Sequence, residues 1–232
     1  MRHTIGYVPG ASRIRQTTSS TALRTRIPKG RKRKKWSWRE YYEKTAKSAA
    51  SDTLNEALRL TESESSEFRE RFAIDLGCGA GPDTLELLRR GWKVLAIDKQ
   101  PIATRWIRSN VAKQYRPSLR TRTGSFSTTY LPKCDLMNAS RSLPFCSPKY
   151  FDSLWRKIMT SIRPGGRFSG HFFGVHDEWA SLTDMTFHSR GQVKLLLRNF
   201  KVESFQEKEW EGTTASGRKK HWHVFSVVAR KL

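Results

Sequence analysis

Three closely spaced glycines between two acidic residues are the first feature of this chain that could do chemistry. Gly77, Gly79 and Gly81 lie in the stretch AIDLGCGAGPDTLELL, which begins at residue 73, and Asp75 stands just before them. Asp98 ends the next apolar run, VLAID. Because glycines let a ligand approach the backbone closely, the G-x-G-x-G spacing predicts a loop that binds a small molecule.

The chemistry around this loop favours a cationic ligand that carries a ribose. A phosphate-binding loop needs a lysine directly after its last glycine, and a dinucleotide loop needs a third glycine where this chain has Pro82. A carboxylate at Asp75 repels a pyrophosphate and attracts an ammonium or sulfonium group, and Asp98 can accept hydrogen bonds from ribose hydroxyls. S-adenosylmethionine combines these groups and is the predicted cofactor. A plain tight turn and a helix-capping aspartate are the structural alternatives.

Alternating strands and helices are predicted to position this loop. Strand patterns occur at RFAIDLG, WKVLAID, LRTRTGSF, KCDLMNAS and RFSGHFFG, and helix patterns at GPDTLELLRRG, KQPIATRWIRSNVAK, SPKYFDSLWRKIMTSI and SRGQVKLLLRNF. Residues 36–60 have helical spacing, with Ala50, Leu54, Ala57 and Leu58 on one side. The alternation predicts an α/β fold with a doubly wound parallel sheet. The last two strands, joined around EGTTASG, predict an antiparallel hairpin. In such sheets ligands bind at the carboxyl ends of the strands, where the glycine loop falls.

The charge of the chain is concentrated at its start. The 232 residues carry a net charge of +23, and residues 1–35 contain eleven lysines and arginines and no acidic residue. Such a segment cannot bury enough apolar surface to fold alone, so residues 1–35 are predicted to be a disordered basic tail and residues 36–232 the folded domain. An organellar transit peptide, a nuclear address or polyanion clamp, and a dispensable extension are the alternatives for the tail.

Several motifs resemble those of class I S-adenosylmethionine-dependent methyltransferases. AIDLGCGAGPDT, VLAIDKQ and IRPGGRF are similar to the first motif, the ribose acid and the turn after a helix in that family. WREYYEK, NASRSLPFC, GVHDEWA, MTFHSR and KHWHVFSVVARK resemble a small-molecule subgroup, the tellurite-resistance and thiopurine-type methyltransferases. The resemblance implies a Rossmann-like sheet of seven strands, mostly parallel, with a reversed C-terminal strand.

The resemblance also implies which residues surround the cofactor. Two positions depart from the family pattern: Pro82 replaces a frequent arginine, and no acidic residue follows the third strand where many relatives have one near the adenine. Tyr42 in WREYYE is either an aromatic lid over the methionine end or an ordinary helix-packing residue. The implied cofactor-binding residues are Asp75, Gly77 and Gly79 at the methionine end, Asp98 at the ribose, Lys99, Ser125 and Phe126 at the adenine, and Asn138 beside the transferred methyl group. Gly81 of the same loop is also a predicted cofactor-binding residue.

The methyl acceptor is less well indicated. His188 and His221 are the predicted substrate contacts, and the sequence identifies neither a general base nor a metal site. A small-molecule acceptor is predicted, and an RNA acceptor bound through the basic tail and a non-catalytic cofactor-binding protein are the alternatives. The sequence has no apolar run of the length that a membrane helix needs. Three widely spaced cysteines favour a reducing compartment, so a cytoplasmic location is predicted, with organellar import through the tail as the alternative.

Overall fold

The structure is a computed structural model that describes residues 38–64 and 70–232. The predicted tail, residues 1–35, lies outside the described residues, so its boundary with the folded domain stays a prediction. None of the described helices is long and apolar enough to cross a membrane. The α-helices in the described part of the chain are α1 Trp38–Thr45, α2 Asp52–Glu64, α3 Pro82–Arg89, α4 Pro101–Asn110, α5 Pro148–Ser161 and α6 Arg190–Leu196.

One mixed sheet forms the centre of the domain. Its main path runs β3-β2-β1-β4-β5-β8-β7, and the short β6 pairs with β5 beside this path. The strands from β3 to β5 are parallel, whereas β8 is antiparallel to both β5 and β7. This confirms the doubly wound fold with a reversed C-terminal strand. The strands are β1 Phe72–Leu76, β2 Lys93–Asp98, β3 Leu119–Thr123, β4 Cys134–Ala139, β5 Ile162–Gly174, β6 Phe187–His188, β7 Phe200–Thr213 and β8 Lys219–Lys231.

Helices cover both faces of the sheet. On one face, the Trp155 ring of α5 packs edge-on against Phe168 and Phe172 of β5, at centroid distances of 5.2 and 5.6 Å. On the other face, Leu54 and Leu58 of α2 are fully buried in a cluster with apolar residues of β1, β2 and β4. Burial on both faces explains why the central strands are almost continuously apolar.

In the described part of the chain, the helical pattern of residues 36–60 corresponds to two helices, and the sequence pattern does not indicate the break between them. The chain leaves the helix after α1 and re-enters it at α2. At the break, the Ser51 backbone N–H and hydroxyl both donate to the Asp83 carboxylate, at 2.7 and 3.1 Å. A continuous helix would use that N–H within its own backbone, so the long-range bond to Asp83 replaces the helical one.

A β-bulge at Glu203 determines which side chains of β7 lie on each face of the sheet. Val202 pairs with Ala229 and Ser204 pairs with Val228, so Glu203 is an extra residue in β7. Beyond this bulge the even-numbered residues 204–210 lie on the face that carries α2, and the odd-numbered residues lie on the opposite face. We call these two sides the cleft face and the outer face of the β7–β8 hairpin.

Candidate active site

A cleft of about 800 Å³ opens at the carboxyl ends of the central strands. Its floor is the loop after β1 together with Asp75 and Asp83, and the break between α1 and α2 forms one side. Residues 140 and 141, after β4, and His171 of β5 lie at the far end. The cleft face of the hairpin forms the remaining wall, with Ser204, Gln206 and Lys208 from β7.

Left-handed glycines shape the floor of the cleft. Gly77, Gly79 and Gly81 have φ values of 82°, 52° and 89°, which side-chain-bearing residues rarely adopt. A Cβ at Gly77 would lie 2.3 Å from Cβ of Ser142, so this position has no room for a side chain. A Cβ at Gly79 would meet nothing within 4 Å, because the position opens into the cleft. The loop is therefore packed from below and bare on the side where a ligand can approach.

Asp98 is tied to the glycine loop but keeps free accepting capacity. Its Oδ2 accepts from the Gly79 backbone N–H at 3.0 Å, and its Oδ1 accepts from that of Gln100 at 2.8 Å. Burial raises the pKa of Asp98, and these backbone donors oppose the rise. The Lys99 backbone N–H also interacts with this carboxylate, and the accepting capacity that remains suits the hydroxyls of a ribose.

Asp75 lies at the centre of a buried polar network. Its Oδ2 accepts from the Thr84 hydroxyl at 2.6 Å, and its Oδ1 accepts from the Asn138 amide at 3.0 Å. The same amide donates to Asp83 Oδ2 at 2.8 Å, and Asn138 Oδ1 accepts from the Ser169 hydroxyl at 2.9 Å. One asparagine thus holds two carboxylates together, using both of its N–H bonds.

The paired carboxylates leave the floor of the cleft with uncompensated negative charge. Among the described residues neither Asp75 nor Asp83 has an ion-pair partner. Burial, and next the neighbouring Asp83, raise the pKa of Asp75 to about 7, while Thr84 and Asn138 oppose the rise. A buried carboxylate of this kind is stabilised by a cation placed within a few ångströms. The floor is therefore built to receive a cationic group.

The far end of the cleft contains a strained arginine and a neutral histidine. Arg141 has a φ of 51°, in the left-handed region. Its backbone N–H donates to Nδ1 of His171 at 3.3 Å. Burial, and next the Arg141 charge, lower the pKa of His171 to about 3. Because Nδ1 accepts, the single ring proton is on Nε2, and the ring offers one N–H donor beside the cleft.

The predicted cofactor residues are divided between the cleft and its flank. Asp75, Gly77 and Gly79 line the cleft, whereas Asn138 is buried beneath it and orients Asp75. The ribose and adenine candidates, Asp98, Lys99, Ser125 and Phe126, lie toward β2 and β3 instead, next to the glycine loop. The Ser125 hydroxyl lies 2.9 Å from those of Ser127 and Thr128, and Lys99 is exposed. The Phe126 ring would lie 3.6 Å from a Cβ at Gly77.

Three other predicted site residues do not line the cleft. Tyr42 is buried among Ala80 and Ala103, which is the helix-packing alternative for this residue. The His188 ring packs against Phe151 at a centroid distance of 4.5 Å, and burial lowers its pKa to about 4. His221 is on the outer face of the hairpin, bonded to glutamates of β7. His171 is the histidine among the described residues that lines the cleft.

Comparisons with known proteins agree with this geometry. Residues 73–166, which include the glycine loop, β2 and β4, match the family model described as a methyltransferase domain. Residues 73–166 thus form a methyltransferase domain. The sequence matches no curated protein.

Solved structures share the fold of the methyltransferase domain. TehB from Haemophilus influenzae aligns with a TM-score of 0.64 and 15% identity, over 77% of this chain and 62% of TehB. The chain thus spans less than two thirds of TehB. The 1,6-didemethyltoxoflavin-N1-methyltransferase of Burkholderia thailandensis, solved with 1,6-didemethyltoxoflavin and S-adenosylhomocysteine, aligns with a TM-score of 0.55 and 19% identity, over 78% of each chain. A methyltransferase from Methanosarcina mazei has a TM-score of 0.56 and 19% identity, over 75% of this chain and 97% of the other.

The residues present in the methyltransferase domain fit S-adenosylmethionine. The open face of Gly79 admits a ligand against the backbone, and the uncompensated carboxylates of Asp75 and Asp83 suit its ammonium group.

The sequence predicted Asp75 as a site residue but not Asp83 or Thr84, although both stand in the motif GPDT directly after the glycines. Ser51 was also missed, because its contact with Asp83 joins residues 32 positions apart.

Proposed function

We propose that this protein transfers a methyl group from S-adenosylmethionine to a small molecule, such as a thiol, a chalcogen oxyanion or a compact metabolite. The observation that carries the proposal is the cleft of about 800 Å³ at the carboxyl ends of the strands. This volume lies within the range of about 300–1,000 Å³ that small-molecule sites occupy. Residues of β7 and β8 form one wall of this cleft.

The two ends of the cleft suit two different tasks. Asp75 and Asp83 bind the cationic methionine end of the cofactor, and Asp98 binds its ribose on the flank of the glycine loop. The acceptor then lies between His171, Arg141 and the polar residues of β7. S-adenosylmethionine supplies an electrophilic methyl group when bound, so the protein's main task is to align the acceptor and exclude water.

His171 orients the acceptor rather than deprotonating it. Its pKa, lowered to about 3, makes the neutral ring a poor proton acceptor near pH 7. Its Nε2–H is available to donate a hydrogen bond to an oxygen, sulfur or nitrogen of the acceptor. A thiolate or oxyanion acceptor needs no general base, and this matches the chemistry at the far end of the cleft.

Structural neighbours support the proposed acceptor class. The Burkholderia thailandensis enzyme is named for an N-methylation of 1,6-didemethyltoxoflavin, a small molecule that is bound in its structure. A glycopeptide N-methyltransferase, MtfA, also aligns, with a TM-score of 0.52 and 17% identity. The three cysteines are buried and unpaired, which is compatible with a reducing cytoplasm as the proposed compartment.

The decisive experiment is an acceptor screen with labelled S-adenosylmethionine. The full chain and a chain lacking residues 1–35 are each offered thiols, chalcogen oxyanions, small heteroaromatic compounds and RNA. We expect turnover of at least one small acceptor by both chains, and turnover at low cofactor concentration that is about 10–150-fold lower in Asp75→Asn. RNA methylation by the shortened chain, with no turnover of any small acceptor, would overturn the proposal.

Salt dependence separates the RNA alternative further. Binding that depends on several phosphate contacts weakens steeply between about 50 and 200 mM salt. Turnover of a small acceptor in the cleft is expected to change little over this range.

A further inference from the structure

Histidines and glutamates cluster on the outer face of the β7–β8 hairpin, on the opposite side of the sheet from Asp75. His176 lies in the loop after β5, Glu209 on β7 and His223 on β8. One side-chain ligand atom of each lies within 4.8 Å of those of the other two. Imidazole and carboxylate groups suit divalent transition metals. We propose that His176, Glu209 and His223 form a binding site for a divalent transition-metal ion, represented by Zn²⁺.

The spacing of the ligand atoms suits one shared ion. Glu209 Oε1 lies 3.0 Å from Nδ1 of His176 and 3.8 Å from Nδ1 of His223. Two ligand atoms of a tetrahedral Zn²⁺ ion, each about 2.0–2.1 Å from it, are about 3.3 Å apart. The observed separations lie on either side of this value. His176 is exposed, so its ring can make the small rotation that brings all three atoms to the ion.

A neighbouring carboxylate prepares His223 to act as a ligand. Its Nε2 lies 3.1 Å from Glu207 Oε1, which places the ring proton on Nε2 and leaves a lone pair on Nδ1. That lone pair accepts from the His176 backbone N–H at 3.2 Å, which the ion would replace. Metal-binding histidines commonly donate their second ring nitrogen to a carboxylate, because this fixes the tautomer and raises the basicity of the ligand.

The segments that carry the ligands are held together without an ion. Asp177, next to His176, makes a buried salt bridge of 2.5 Å with Lys220 and accepts from the His223 backbone N–H at 3.3 Å. The Lys220 ammonium also lies 3.6 Å from the centroid of the Trp222 ring. The loop after β5 and strand β8 are thus fastened beside the cluster, so little ordering is needed when an ion binds.

A fourth ligand position remains available. His221 Nε2 lies 3.2 Å from the second oxygen of Glu209, and its Nδ1 lies 2.7 Å from Glu211. With three protein ligands, a tetrahedral ion has one further position for water or for His221. The bound ion would cross-link the loop after β5 to the hairpin, whose other face walls the cleft.

Zinc titration of the full chain, after a chelator has removed bound metal, tests this inference independently of the methyl acceptor. We expect calorimetry and elemental analysis to give one ion per chain, and a cobalt-substituted sample to show the visible absorption of tetrahedral Co²⁺. His176→Ala and Glu209→Gln are expected to abolish this binding. Glu207→Gln, which removes the carboxylate behind His223, is expected to weaken it by about 10–100-fold.

Glu211→Gln is the matched control, because it removes an exposed carboxylate from the same face of β7 and leaves the three ligands intact. It is expected to bind zinc as the native chain does. Melting temperatures in chelator must match among the variants, so that a loss of binding is not a loss of folding. Native-like zinc binding by His176→Ala, or no zinc binding by the native chain, would overturn the proposal.

Discussion

Two groups of carboxylates lie on opposite sides of the same sheet, and their surroundings give them opposite properties. Asp75 and Asp83 are buried at the floor of the cleft, where amide and hydroxyl groups are their donors, and the pKa of Asp75 is raised. Glu207 and Glu209 lie on the outer face of the hairpin. Arg190 and His223 hold the pKa of Glu207 below its usual range. His176 and His221 do the same for Glu209.

The difference shows how one type of functional group serves two purposes. The cleft floor has carboxylates without a cation, so a ligand must supply the positive charge. The outer face has carboxylates beside histidines, so the negative charge of these carboxylates is already balanced in part. The same carboxylates and histidines can bind a metal ion. Asp177 combines both conditions, because it is as buried as Asp75 and yet has a lysine partner.

Breaking the Asp177–Lys220 pair is expected to have the largest effect. Lys220→Met keeps the long stem but leaves the Asp177 charge buried without a cation. Removing one partner of a buried ion pair typically costs about 3–5 kcal/mol in the free energy of unfolding. Urea denaturation measures this loss. Arg218→Gln, which removes an exposed partner of Glu178, is the control and is expected to cost under about 1 kcal/mol. Equal losses for the two variants would contradict the comparison.

Asp75→Asn is expected to weaken S-adenosylmethionine binding while leaving the domain folded. The substitution keeps the size of the side chain and removes the charge that attracts the ammonium group. A charge-assisted hydrogen bond is worth roughly 1.5–3 kcal/mol, which corresponds to a loss of affinity of about 10–150-fold. Calorimetric titration measures it. Asp177→Asn is not expected to share this effect, and unchanged affinity in Asp75→Asn would contradict the assigned role of the cleft floor.

Gly79→Ala is expected to impair cofactor binding more than stability. The added Cβ would enter the open side of the loop, and the left-handed backbone costs roughly 1–2 kcal/mol for a residue with a side chain. Gly217→Ala is a close control, since Gly217 has a φ of 81° and equally open surroundings in the hairpin turn. Both variants should lose similar stability, measured by thermal melting, but only Gly79→Ala should lose affinity for S-adenosylmethionine.

Cofactor affinity is expected to rise with pH up to about pH 7. Below its raised pKa of about 7, Asp75 is protonated in the free protein and attracts the ammonium group less, so affinity should fall by up to about tenfold per pH unit. The raised pKa of Asp75 also affects the free energy of unfolding of the free protein. Its stabilising contribution is fully present below about pH 3.9, the ordinary pKa of an aspartate, and is lost as pH rises through 7. Titrations at several pH values test the first effect, and a flat profile would refute it.

The smallest predicted effect concerns the exposed face of the hairpin. Glu211, and next Glu209, raise the pKa of His221. Its contribution to stability is therefore full below the ordinary histidine pKa of about 6.5 and is lost as pH rises through the raised value. In chelator, His221→Gln should lower the melting temperature slightly at pH 6 and less at pH 8. A larger decrease at pH 8 would show that the sign is wrong.

Local patterns were enough to predict the parallel half of the molecule. The strands β1, β2 and β4 are short apolar runs next to helix patterns, and Asp75 and Asp98 were located because each ends such a run. The pattern of β3, LRTRT, is weaker because it is mostly polar. The break between α1 and α2 was not predicted, since apolar spacing continues across it. It depends on the bonds from Ser51 to Asp83, which form only after the two segments have packed together.

The wall of the cleft was harder to predict than its floor. His188 and His221 were chosen from loops and strands near the expected acceptor, yet His171 is the histidine beside the cleft. Which residues of β7 face the cleft depends on strand pairing and on the bulge at Glu203, and no local pattern specifies either. The cluster of His176, Glu209 and His223 was missed for the same reason, because its members come from three separate segments.

The bulge at Glu203 makes the length of β7 as important as its composition. Because Glu203 is an extra residue between the pairs Val202–Ala229 and Ser204–Val228, its deletion would make the two pairs consecutive and leave both faces of the strand beyond it unchanged. A one-residue shift of register elsewhere in the paired part of β7 would turn the side chains beyond it to the opposite face. The bulge is therefore the position at which β7 can lose a codon and keep both surfaces, although the ion pair of Glu203 with Arg167 would be lost.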